Sequence, residues 1–419
     1  MDLKAIGARI SRERERTGLT QRDLAARADL SQSTLNRMEL GTRATASVAE
    51  LDRIARALDI PLRALTKGSP VHDRMQVGAR AAAGAEAEQE EAARTAGDIL
   101  ALDDRLDALG IPDATPPLPR KRVTLPPLPP EALSSEEQGQ QLAEALRVTL
   151  DLGVGPISDL VECAELSLGL DTAALRLPQA VSGFSAIDPV RHVTLAVVNA
   201  LDVRERQRFT LAHEIAHALF GDGVDAHHLA SVRTPAEDRA NAFARHLLAP
   251  AAGIHRCLGR GTESPTCLDL RTCVVLARHF GTSLSAMLVQ LKQLGLITTQ
   301  EQRELGGPTG RDLAWRFGWG PQYDEEDRAA KQIRAPRRIL ERAVDAYRAG
   351  HIGVRAVAAL DGADPRETEA ALHAAGITPP ELPPARRVDV QALIARSKSR
   401  PAITDGDRTT TGPEGNAAE

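Results

Sequence analysis

Read for apolar spacing, residues 2–66 fall into five short helices. Leu3, Ile6 and Ile10 stripe the first. Thr20 is placed to cap the second, with Leu24 and Ala25 facing inward, and a tight turn through Asp29 and Leu30 follows. Ser31 caps a third, and Gly41 ends it from the position just past the helix. Leu51, Ile54, Ala55 and Leu58 share one face of the fourth, and Pro61 opens the fifth. Two short helices joined by a tight turn, the second with polar exposed positions, describe a helix-turn-helix.

The pattern then thins. From Gly78 to Leu109 the chain is rich in Ala and Glu, and Ile99, Leu102, Leu106 and Leu109 repeat at helical spacing. Such a short run fits either a dimerising helix or a lone surface helix. Residues 111–130 hold eight prolines, which neither a helix nor a central strand accommodates. They read as an extended, polyproline-like linker. Arg120, Lys121 and Arg122 within it read as a solvated charge run, with a ligand for a proline-binding partner as the weaker alternative.

A new apolar pattern starts near Ser134. Leu142, Leu146 and Leu150 lie along one helix, and Leu160, Val161, Ala164 and Leu168 face inward from a second over 157–168. Residues 175–177 and 192–198 read as strands, with Val193, Leu195 and Val197 on one face. A helix from about Arg204 to Phe220 follows, and Gly221 stops it. Residues 270–300 read as two helices around Gly281, with Leu288, Leu291, Leu294 and Leu296 as core. That favours packing over a second helix-turn-helix. Residues 301–332 read as irregular, and place Trp315 and Trp319 near Phe317 and Tyr323 as a partner patch or a core cap. Helices return over 336–380, and residues 401–419 lack apolar content and read as disordered.

The helix over 204–220 carries the chemistry. His213 and His217 stand at i and i+4 on one face, where two imidazoles can grip one zinc ion, and Glu214 can take a proton from its water. Thr210, Leu211, Ala212, Ile215, Ala216, Ala218 and Leu219 are all uncharged, as a buried helix requires. Three inward polar groups without partners would cost about 1–3 kcal/mol each, and a metal supplies the partner. Zinc needs a third protein ligand and one open position. Position 220 is Phe and 223 is Gly, which excludes the three-histidine form of such sites. Glu237 offers a carboxylate instead, on one small apolar face with Ala240, Ala244 and Leu248, whereas Asp238 lies with Asn241 and Arg245. Thr234, Pro235 and Glu237 also spell a capping box, whose glutamate turns back to the cap amide. Spacing leaves both readings open. His227, His228, His246 and His255 are oxyanion helpers by residue type alone, and packing or surface histidines otherwise.

Composition narrows the class. A chain of 419 residues suggests two to four domains, and 42% hydrophobic content is enough for packed cores. Aromatics at 2% argue against modules that stack bases on exposed rings. The net charge of -5 excludes a basic nucleic-acid coat, although residues 1–67 carry 13 Lys/Arg against 9 Asp/Glu. Cys163, Cys257, Cys267 and Cys273 form no CxxC pair and read as reduced thiols, pointing to the cytoplasm. There is no apolar N-terminal run and no stretch of about 18 apolar residues, so neither a signal peptide nor a membrane span is expected.

Residues 19–25 (Leu-Thr-Gln-x-x-Leu-Ala), 30–41 (Leu-Ser-Gln-Ser-Thr-Leu-Asn-Arg-Met-Glu-x-Gly) and 51–58 (Leu-x-x-Ile-Ala-x-Ala-Leu) resemble the XRE, or lambda-repressor-like, DNA-binding family. The resemblance implies that Gln32, Ser33, Thr34, Asn36 and Arg37 face the major groove and that Gln21 and Arg43 touch phosphates. It also implies a homodimer on paired half-sites of double-stranded DNA. A small helical interaction domain with merely solvated polar positions is the bland alternative.

Asn199, the run from Arg206 through His213-Glu214-x-x-His217 to Phe220, and Glu237-x-x-Ala-Asn-x-Phe-Ala-x-x-Leu-Leu-x-Pro250 are similar to the ImmA/IrrE family of zinc metallopeptidases. Segments at 155–160, 183–185 and 276–297 fit as well. This resemblance implies His213, His217 and Glu237 as Zn2+ ligands, Glu214 as general base and Asn241 as a supporting residue behind them. The expected architecture is mainly α and multidomain. It has a helix-turn-helix domain at 1–67, an Ala/Glu-rich helix and Pro-rich linker at 68–133, and an α+β zincin-like peptidase with a small sheet at 134–300. A helical region at 301–395 and a tail at 396–419 follow. The expected function is a transcriptional regulator whose endopeptidase cuts a specific repressor-like protein. The alternative is a transcription factor whose peptidase-like body is a non-catalytic sensor or dimerisation unit, including one half of a toxin–antitoxin pair.

Overall fold

The computed structural model describes residues 3–43, 45–58, 60, 62–66, 70–81, 86–113, 124–222, 234–259 and 268–380. The Arg120–Arg122 run, His227, His228, Cys267 and the expected tail lie outside them.

The head folds as its caps dictate. Helices α1 (Leu3–Arg16), α2 (Gln21–Arg27), α3 (Gln32–Glu39), α4 (Val48–Ala57) and α5 (Leu62–Thr66) follow in order. Thr20 and Asp23 close a reciprocal capping box on α2, Ser47 and Glu50 close another on α4, and Ser31 caps α3. Gly41 takes the left-handed conformation at φ 64°, which ends α3 without strain. Ile6, Ile10, Leu24, Leu35, Leu51 and Ile54 form the buried core of this head.

The body is built on a four-stranded mixed sheet. After α6 (Pro70–Arg74) come β1 (Gln76–Ala81), α7 (Glu86–Ala108), α8 (Ser135–Thr149), a short α9 (Leu160–Glu162) that runs on as a π turn through Leu168, β2 (Asp171–Leu175), β3 (Val181–Asp188) and β4 (Val193–Asn199). The strand order is β1-β3-β4-β2. β3 pairs antiparallel with both β1 and β4, and β2 pairs parallel with β4. Alternation along each strand divides the residues between two cores. Phe184, Ala186, Leu195 and Val197 enter one, and Ala196 and Val198 enter the other.

Four helices surround the second core or follow it: α10 (Arg204–Phe220), α11 (Pro235–Leu248), α12 (Ala251–Cys257) and α13 (Leu270–Phe280). Next come α14 (Leu284–Gln293), α15 (Thr299–Leu305), α16 (Gly310–Phe317), α17 (Gly320–Ala330), α18 (Arg337–Arg348), α19 (Val354–Ala358) and α20 (Pro365–Ala374). Helices α13 and α14 share a core of Leu276, Phe280, Met287, Leu288 and Leu291. The fold is mainly helical with one small sheet, as the sequence pattern implies.

Several elements differ from that expectation. Strands β1 and β3 carry Gly, Ala and Ser, whose weak strand preference conceals them. Residues 301–332 are helical rather than irregular, because Thr298 and Thr309 cap α15 and α16 and Pro321 opens α17. Phe317 stacks on Trp319 with centroids 5.8 Å apart and both pack on the third core, while Trp315 stays 55% exposed. The Ala/Glu-rich segment is neither a dimerising coil nor a lone surface helix. In α7, Ala92, Ala96, Ile99, Leu100 and Leu106 are buried in the core that lines one face of the sheet. The C-terminal α18 joins the same core through Ile339, Ala343 and Ala346. Charge ties these distant segments together. Arg338 reaches Asp171 on β2 at 2.6 Å and Asp103 on α7 at 2.8 Å, and Arg342, 1% exposed, also bonds Asp103.

Candidate metal centre

Helix α10 is the wall between the sheet and α11. Gly183 on β3 allows the close approach, since a Cβ there would stand 2.4 Å from the Thr210 methyl and 2.6 Å from the Val197 carbonyl oxygen. Leu211, Ala212, Ile215 and Ala216 bury the helix on the second core. His213, Glu214 and His217 are buried with them, at 3%, 3% and 4% exposure. Gly221 ends the helix in the left-handed conformation, φ 68°.

Helix α11 faces α10 with small residues, Ala240 and Ala244, both fully buried. Thr234 accepts from the Glu237 amide at 3.2 Å, which is the first half of the capping box. The Glu237 carboxylate turns to the imidazoles. Its Oε2 lies 3.4 Å from His213 Nε2 and its Oε1 3.4 Å from His217 Nε2. The two Nε2 atoms are 3.0 Å apart. Tetrahedral ligands at the usual zinc distances stand about 3.3 Å from one another. Three buried donors converging at such separations therefore fit one ion, and among the described residues these three form the group that could hold a metal.

Two further side chains, not anticipated from the sequence, complete the arrangement. Ser185 on β3 donates to Glu214 Oε2 at 2.6 Å, and both groups are buried. Asp222 lies 3.2 Å from His217 Nδ1 and is held by Arg239. Burial disfavours a charge on His217, yet the hydrogen bonds to Asp222 and Glu237 push its pKa up to about 9. The same hydrogen bonds favour the protonated ring, so metal binding there would release a proton. A polar strand residue and a residue after a helix-ending glycine carry no spacing signal; only the packing of β3 and α11 against α10 brings them in.

The remaining candidates scatter. Asn241, one turn beyond Glu237, makes no hydrogen bond to His213, Glu214 or His217 among the described residues; with Phe209 and Asp238 it lines a cleft of about 530 Å³. His246 is buried and engages Gln290 at 3.2 Å and Glu136 at 3.4 Å, which is a packing role. His255 stands half-buried on α12, in a helix that contributes no ligand to the centre.

In the head, Gln32, Ser33 and Arg37 are exposed along α3, while Thr34 and Asn36 are half-buried. Gln21 donates to Asn36 at 3.3 Å and to Glu39 at 2.7 Å. Arg43 is bound to Glu50 at 2.9 Å. Both expected phosphate contacts therefore have protein partners in the free chain.

Comparison with known families agrees with both regions. Residues 10–65 match the model described as helix-turn-helix, and residues 167–292 match the IrrE N-terminal-like domain. The chain thus joins a DNA-binding head of the XRE type to a metallopeptidase-like domain. No curated protein matches it. Among the described residues no single helix is long and apolar enough to cross a membrane.

Proposed function

We propose that this chain, with a helix-turn-helix segment joined to an IrrE N-terminal-like one, is a DNA-binding regulator that carries a zinc-dependent endopeptidase. The observation that carries the reading is the buried triad His213, His217 and Glu237 with Glu214 beside it. Two imidazoles and one carboxylate, with no fourth protein ligand among the described residues, suit catalytic zinc better than structural zinc, which closes all four positions with protein ligands. Bound there, zinc supplies Lewis acidity to a peptide carbonyl and to water.

The chain's own residues do the rest. His213 and His217 direct Nε2, and Glu237 its carboxylate, to the ion. Ser185 holds Oε2 of Glu214, so Oε1 is the oxygen that takes the water proton and returns it to the leaving amine. A non-catalytic sensor has no use for a buried carboxylate held in this way, which favours the enzyme over the sensor reading. In the head, Gln32, Ser33, Thr34, Asn36 and Arg37 read the major groove of an operator. A dimer on paired half-sites would supply the affinity that one such head lacks. Gln21 and Arg43 reach phosphate by exchanging their present partners. Union in one chain points to a substrate found at promoters, a repressor-like protein.

The test is Glu214→Gln. Comparing protein N-termini in cells with the wild-type chain and with this variant, new termini from a repressor-like protein appear only with the former, while zinc content is equal. Identical termini and identical regulation from two zinc-loaded proteins reject the peptidase reading.

A further inference from the structure

The two histidines of the proposed metal centre are held unequally. His217 turns Nε2 to the centre and places Nδ1 3.2 Å from Asp222 Oδ2. His213 also turns Nε2 inward, but its buried Nδ1 has no hydrogen-bond partner among the described residues. Asp222 is itself buried, with a side chain 4% exposed. Arg239 grips it with one edge of the guanidinium, Nη2 on Oδ1 and Nε on Oδ2 at 3.3 Å. The same guanidinium lies 4.8 Å over the Phe220 ring.

We infer that Asp222 is a positioning residue for the metal centre, that Arg239 holds it in place, and that the pair fixes the ring of His217 for an ion. The inference rests on the metal-centre reading of residues 213–237. Its physical basis is the two-sidedness of imidazole. Rotation about the last side-chain bond exchanges which edge of the ring faces the ion, and the neutral ring has two tautomers. A carboxylate that accepts from Nδ1–H removes both freedoms. It leaves the Nε2 lone pair directed at the metal and makes that nitrogen a stronger donor. A buried carboxylate alone would be costly, and the paired guanidinium offsets its charge through two charge-assisted bonds.

Chain topology makes this an assembled device. Asp222 follows Gly221, whose left-handed conformation turns the chain back along the end of α10. Arg239 stands two residues beyond Glu237 on α11. One helix therefore delivers both the third ligand and the clamp on Asp222. Docking of α11 on α10 sets the two together, so the centre forms as a unit. His213 has no equivalent brace in the described residues, and the orientation of the site depends the more on His217.

The full-length chain is titrated with Zn2+ against a chromophoric chelator of known affinity. Asp222→Ala is expected to raise the dissociation constant by about 10–100-fold, the usual effect of removing such an outer partner. Asp222→Asn keeps an acceptor oxygen and is expected to fall between that variant and wild type. Arg239→Gln leaves Asp222 in place and is expected to weaken binding in the same direction. Cobalt(II) serves as a second probe: its visible absorption bands, which report ligand geometry, shift in Asp222→Ala. Circular dichroism and thermal unfolding of the metal-free proteins check the fold, and if Asp222→Ala does not fold, Arg239→Gln and Asp222→Asn decide. Affinities within twofold of wild type, with unchanged cobalt spectra, overturn the inference. A wild-type chain that takes up no zinc overturns the metal-centre reading itself.

Discussion

The head and the proposed metal centre both rely on polar side chains carried by a helix, and they place them in opposite surroundings. In α3, Gln32, Ser33 and Arg37 stand in solvent, ready for a partner that brings its own hydrogen-bonding groups. In α10, His213, Glu214 and His217 are buried, and the protein supplies partners in advance: Glu237, Ser185 and Asp222. Water solvates an exposed polar group until a partner replaces it. A buried one has to be satisfied within the fold, so its neighbours are specified more tightly.

The largest effect should come from the deepest charges. Asp103→Ala leaves Arg342 and Arg338 without their shared carboxylate, and denaturant unfolding of the body is expected to show a loss of about 3–5 kcal/mol. Next, Glu237→Ala removes one of the three proposed protein ligands. Taking roughly a quarter of the about 10–16 kcal/mol typical of a four-ligand zinc site, zinc affinity should fall by about 10²–10³-fold. The exposed helix should lose less. Arg37→Ala is expected to cost about 1–3 kcal/mol of specific operator binding and to leave zinc content unchanged. Unchanged operator affinity would reject the recognition assignment for α3. The smallest change is Thr20→Ala, which opens the capping box on α2 and should lower the stability of the head by about 1 kcal/mol in thermal unfolding. If the Arg37 and Glu237 variants each disturbed the other's function, the contrast between the two regions would fail.

What the sequence disclosed follows the same division. Helix caps are local, so Thr20, Ser31 and Gly41 mark the head's elements within a few residues. The i, i+4 spacing of His213 and His217 is local too, and it marks the centre before any packing is known. Glu237 stood between ligand and cap, because both roles need the same position on the first turn of a helix. Only the approach of α10 to α11 separates them, with the carboxylate 3.4 Å from each imidazole. Ser185 showed only as part of the resembling segment 183–185 and Asp222 not at all, since a serine in a strand and an aspartate after a helix are ordinary until their neighbours are known. The packing of α7 on the sheet was hidden for a further reason. Its stripe of Ala92, Ala96, Ile99 and Leu106 fits a surface coil as well as a core, and its ionic partner Arg338 lies 235 residues from Asp103. No window along the sequence spans that distance.

The central claim is that the triad holds zinc in a working peptidase site. It is tested most directly by crystals of the zinc-loaded full-length chain, with anomalous diffraction recorded above and below the zinc absorption edge. One strong anomalous peak is expected, bounded by His213 Nε2, His217 Nε2 and the Glu237 carboxylate, with a side open to solvent and Glu214 beside it. A zinc-loaded chain whose anomalous peak lies elsewhere, or whose ion is closed off by a fourth protein ligand, would contradict it.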